Sequence, residues 1–81
     1  MTETYLNLRG LKCPLPALKT RKALAGLEPG AVIVVECTDP LAAIDIPNLL
    51  NETRDVLEDQ GERDGALVFR IRKVNSPPAK P

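Results

Sequence analysis

The pair Asp64-Gly65 constrains this chain more than any other two residues. Asp-Gly suits the centre of a two-residue hairpin, where φ is positive and the turn's twist matches that of the flanking strands. The residues that follow alternate, with Leu67, Phe69 and Ile71 on one face and Val68, Arg70 and Arg72 on the other. A strand therefore runs here with one face in a core and the other in water, so any helices must lie on a single side of the sheet. A hairpin also needs a strand before its turn. Residues 56–62 are assigned to it, although Leu57 also continues the helical spacing of Ile46, Leu49, Leu50 and Thr53. The helix is thus expected to end near Thr53, and Glu58, Asp59 and Glu62 to shield a sheet edge from pairing with another chain.

The run Val32-Ile33-Val34-Val35 is apolar on both faces and suits a central strand over residues 31–37. Before it, Tyr5-Leu6-Asn7-Leu8 reads as a short strand with Leu6 and Leu8 inward. Residues 17–27 read as a helix whose apolar stripe is Ala17, Leu18, Leu24 and Leu27, with Lys19 and Lys22 left wet. A strand, helix, strand succession of this length makes the two strands parallel neighbours. Thr38-Asp39-Pro40 leaves the second strand, either Thr38 or Asp39 capping a turn that Pro40 begins, and Asp45 with Pro47 marks a second helix start. Capping accounts for both aspartates; an acid or base role is the alternative. The expected order is βαβαββ, an α/β (α+β) two-layer sandwich with a four-stranded mixed sheet and two helices on one face. Residues 1–74 form one domain, residues 1–4 being a loose end, and the proline-rich residues 75–81 read as a disordered tail.

Chemistry is expected at Gly10-Leu11-Lys12-Cys13-Pro14-Leu15-Pro16, which places a thiol between the first strand and the first helix. Pro14 suits a first helical turn, because its missing N–H would be unpaired there and its φ is already helical, and Pro16 is tolerated for the same reason. The helix N-terminus and Lys12 would both favour an anion, so the pKa of Cys13 is expected below its ordinary value. A buried, inert cysteine is the plain alternative, but Lys12 and Pro14 are poor neighbours for a core residue. Cys37 closes the second strand; it either packs there or, through loops on the same sheet edge, meets Cys13 as a resolving thiol.

Several classes are excluded on composition. Tyr5 and Phe69 are the only aromatics among 81 residues, which argues against binding nucleic acid directly through stacked bases. No apolar run has the length of a membrane span, and Met-Thr-Glu-Thr lacks the regions of a signal peptide, so a cytoplasmic location is expected. Two cysteines in a reducing compartment do not make a disulfide framework. With no histidine, and cysteines 24 positions apart, neither a zinc ligand set nor a Cys–His nucleophilic pair can form. Charges balance overall, yet residues 1–30 carry Arg9, Lys12, Lys19, Arg21 and Lys22 against Glu3 and Glu28. Such a basic face is either a solvated helix surface or a match for an acidic partner.

Leu11-Lys12-Cys13-Pro14-Leu15-Pro16 followed by a basic helix resembles the Cys-Pro-X-Pro signature of the TusA/SirA-like small sulfur-carrier proteins. Gly10-Leu11-Lys12-Cys13-Pro14, Glu28-Pro29-Gly30, Thr38-Asp39-Pro40, Asp45-Ile46-Pro47 and Ile71-Arg72-Lys73 fall in that family's order, so the likeness covers residues 5–73. It implies a two-layer α/β fold with a short strand after the second helix. It also implies a sulfurtransferase-like carrier in which Cys13 takes sulfur as a persulfide from a donor protein, such as a cysteine desulfurase or a rhodanese, and passes it to an acceptor protein. The pathway served would be tRNA thiolation, cofactor synthesis or sulfur oxidation. Lys12, with Arg9 and Lys19, would stabilise the sulfur anion or steer a partner, Pro14 and Pro16 would hold the loop, and no cofactor or metal is required. Leu15 stands where well-known members have an acidic residue and Ile44 where they have a basic one. The reading from a different class is a non-enzymatic, redox-sensitive interaction or regulatory module docking through the same loop.

Overall fold

The computed structural model describes residues 3–74. Six elements run in the order β1 (Glu3–Leu8), α1 (Leu15–Ala25), β2 (Val32–Cys37), α2 (Ala42–Thr53), β3 (Val56–Arg63) and β4 (Ala66–Arg72). The four strands make one mixed sheet in the order β1-β2-β4-β3, with β1 parallel to β2 and the other two pairings antiparallel. The α/β two-layer sandwich with both helices on one face is therefore the observed fold. Residues 75–81, read as a disordered tail, lie outside the described residues.

The hairpin is built as its two turn residues require: Asp64 and Gly65 both have positive φ, 52° and 77°. Phe69 and Ile71 are fully buried, while Arg70 and Arg72 face water. On that open face Arg70 pairs with Glu3 and Glu58, and Arg72 with Glu58. At the edge strand β3 the register shifts between Leu57 and Asp59, a bulge that together with the charged side chains blunts the edge. Glu3 and Thr4 are not part of a loose end. They pair with Val32 and Ile33, because β2 is long enough to template them.

The core under the helices is Leu8, Leu24, Ile33, Val35, Cys37, Ala42, Ile46, Leu49, Leu50, Phe69 and Ile71. Two helix details differ from expectation. In α1 the inward residues are Pro16, Thr20 and Leu24, with Ala23 and Leu27 packed beside them, and Leu18 stands 53% exposed. Pro16, Thr20 and Leu24 recur every four residues along one face, whereas Leu18 lies two residues, about 200°, from Pro16 and from Thr20 and so faces the other way. In α2 the start lies at Ala42, before Asp45, and Pro47 is inside the helix. The turn begun at Pro40 runs into the helix unbroken: Ala42, Ala43 and Ile44 donate to the carbonyls of Asp39, Pro40 and Leu41, and Asp45 then donates to Leu41. The helix ends at Arg54, whose φ of 67° turns the chain and whose N–H closes on Leu50. No helix among the described residues is long and apolar enough to cross a membrane.

Candidate functional site

Because β1 and β2 are parallel neighbours, with Leu8 beside Cys37, the loops that leave their carboxyl ends emerge on one edge of the sheet. Side chains of the second loop tie down the first. The Thr38 hydroxyl accepts the Gly10 N–H at 2.9 Å, and Asp39 Oδ2 accepts the Cys13 N–H at 2.6 Å. Asp39 Oδ1 accepts the Leu41 N–H at 2.9 Å, so Asp39 caps the turn begun by Pro40 as expected and also anchors the cysteine loop. These backbone N–H groups, with Lys12 nearby, hold its carboxyl below the usual range.

Cys13 is exposed and Cys37 is fully buried, and both are free thiols. Cys13 precedes Pro14, the N-cap of α1, and its Sγ donates to Asp45 Oδ2 at 2.6 Å. This hydrogen bond is the main cause that raises the Cys13 pKa above its ordinary value, followed by desolvation and by the charges of Asp45 and Asp39. The expected lowering does not occur. A helix end stabilises an anion through free N–H groups, and Pro14 and Pro16 have none while Leu15 donates to the Lys12 carbonyl. At most the N–H of Ala17 is left, against two carboxylates. Asp45, read as a cap, is instead the thiol's partner from the first turn of α2. Burial above all pushes the Cys37 thiol up to about 11, as befits a packing residue.

The other expected site residues divide. Lys12, Pro14 and Pro16 are in the loop or the first turn of α1. Arg9 is taken up elsewhere: its Nε donates to Glu36 Oε2 at 2.8 Å, its Nη2 reaches the same oxygen, and Glu36 is buried. Lys19 has no ion pair or hydrogen bond among the described residues. Beside Cys13 a shallow hollow of about 180 Å³ runs between α1 and α2, bounded by Pro14, Leu18, Asp45 and the Arg21–Glu52 ion pair. Leu15, Leu18, Leu41 and Ile44, at the starts of the two helices, are 44–60% exposed. Sequence reasoning missed this apolar rim at Leu18 and Leu41; Leu15 and Ile44 were marked only as departures from a family pattern. No cluster of potential metal ligands occurs among the described residues.

The family profile described as Sulfurtransferase TusA matches residues 4–73. The sulfur carrier protein TusA of Allochromatium vinosum is 35% identical over 68 residues, covering 84% of this chain and 90% of the relative. The protein of the same name from Pseudomonas fluorescens is also 35% identical over 68 residues, covering 82% of that relative. A chain from Neisseria meningitidis serogroup A is 39% identical over 72 residues, covering 89% of this chain and 97% of its own length.

Proposed function

Because this chain belongs to the TusA sulfurtransferase family, we propose that it is a sulfur carrier whose Cys13 accepts sulfur as a persulfide and passes it to a partner protein. The observation that carries this reading is an exposed thiol on a proline-framed loop, anchored by Asp39 and Thr38, while the second cysteine is buried. The thiol stands out where a partner's sulfur can reach it. Transfer between persulfides needs no cofactor: the attacking sulfur forms one S–S bond as the donor's breaks.

Protein partners, not small molecules, fit the surroundings. The hollow is shallow, whereas the exposed Leu15, Leu18, Leu41 and Ile44 frame the loop with apolar surface of the kind that interfaces bury. Leu15 and Ile44 replace charged residues of well-known members, so the partner's contact surface opposite them is apolar. The donor is a protein bearing a persulfide, of the cysteine desulfurase or rhodanese kind, and the acceptor is a second protein. The test is a bound-sulfur assay with a cysteine desulfurase and free cysteine. A carrier gains sulfane sulfur, and a docking or redox-reporting module remains unloaded.

A further inference from the structure

Asp39 and Asp45 both reach the cysteine loop, and they do different things there. Asp39 spends one oxygen on the Cys13 N–H and the other on the Leu41 N–H, so it holds backbone. Asp45 accepts the thiol hydrogen itself, and among the described residues that thiol is the only hydrogen-bond donor to its carboxylate. Capping does not account for it, since Asp45 is the fourth residue of a helix that begins at Ala42 with Leu41 as N-cap. The charged groups around the sulfur are Asp45 from α2, Asp39 from the loop after β2 and Lys12 from the cysteine's own loop. Arg21 and Glu52, along the hollow, are paired with each other.

We propose that Asp45 is a catalytic residue, the proton acceptor that holds the Cys13 thiol hydrogen in the unloaded protein and receives it when sulfur is taken up. The proposal rests on the carrier reading for its purpose. In the step, Cys13 Sγ attacks the outer sulfur of a donor persulfide. The Sγ–S bond forms as the donor's S–S bond breaks. The thiol hydrogen passes to the Asp45 carboxylate and on to the departing donor thiolate. The products are a Cys13 persulfide and a donor thiol, so neither oxidant nor reductant is consumed. Between loadings the neutral thiol is a poor target for stray electrophiles, because the thiolate is the reactive form.

Asp45→Asn in the full chain separates this role from a structural one. The rate of alkylation of Cys13 against pH is measured first. Removing the carboxylate lowers the midpoint, and alkylation at neutral pH rises, since the gain in thiolate outweighs its lower nucleophilicity. Single-turnover loading from a desulfurase persulfide moves the other way and slows about a hundredfold or more, the range ascribed to proton transfer. Asp45→Ala behaves likewise, while Asp39→Asn shifts the midpoint less. An unchanged alkylation midpoint in Asp45→Asn overturns the proposal whether or not the chain loads sulfur, and so does loading that accelerates in step with alkylation. Failure of the wild-type chain to load refutes the carrier reading instead.

Discussion

Replacing Arg9 by Ala tests whether this residue serves the fold or the sulfur. Glu36 has a side chain only 6% exposed, whereas that of Arg9 is 36% exposed, so the pair has one buried end and one wet end. Removing a partner from a fully buried pair costs roughly 3–5 kcal/mol, because a charge is left desolvated and unpaired. Breaking an exposed pair costs about 0–1 kcal/mol. Arg9→Ala strands the buried member, and solvent at the Arg9 end screens part of the loss, which places the cost near 2 kcal/mol. With a urea dependence of about 1 kcal/mol per molar for so small a domain, the unfolding midpoint falls by about 2 M. Glu36→Gln costs less, since the amide leaves no buried charge and Arg9 can turn to water. Far-UV circular dichroism in urea gives both values. Alkylation of Cys13 should be unchanged in Arg9→Ala. A midpoint shift under about 0.3 M, or a larger loss in Glu36→Gln than in Arg9→Ala, would refute the assignment of Arg9 to the fold.

Two other expectations follow from the same structure. The Cys37 thiol, pushed up to about 11 from an ordinary 9.0, keeps its proton in the folded state after the unfolded chain has lost it. Its contribution is therefore complete below about pH 9 and lost as pH rises towards about 11, roughly 2–3 kcal/mol in all; urea midpoints across that window should fall more in wild type than in Cys37→Ala. At the hairpin, Gly65→Ala should cost about 1–2 kcal/mol, because φ is 77° although the space around it is open. Gly61→Ala, with ordinary φ and equal space, should stay within about 0.5 kcal/mol by thermal unfolding.

Local signals were readable where one residue pair decides the geometry. Asp64-Gly65 and the alternation after it placed the hairpin, the solvated sheet face and the side on which the helices pack, against a helical spacing that ran on to Leu57. The parallel pairing of β1 and β2 was likewise readable, and with it the placing of the Cys13 loop and the end of β2 on one sheet edge. Misreadings arose where two signals competed. Asp45-Pro47 resembles a helix start, yet Asp39-Pro40 had already begun the turn that α2 continues. Leu18 is apolar, but it lies about half a turn round the helix from Pro16 and Thr20, the face that α1 buries. The state of Cys13 was hidden for a different reason. Its controlling contact comes from Asp45, 32 positions away, and no local rule reports that pairing. The prolines did carry part of the answer: each removes an N–H that a helix end would have offered to an anion.

The measurement closest to the central claim is a peptide map of the sulfur-loaded chain. The protein is incubated with a cysteine desulfurase and cysteine, persulfides are trapped by alkylation, and the peptides are read by mass spectrometry in wild type, Cys13→Ser and Cys37→Ala. A sulfur-carrying Cys13 predicts one added sulfur atom on the Cys13 peptide of wild type and of Cys37→Ala, and none on Cys13→Ser. Equal loading of the Cys13→Ser protein, or added sulfur found on the Cys37 peptide alone, would contradict it.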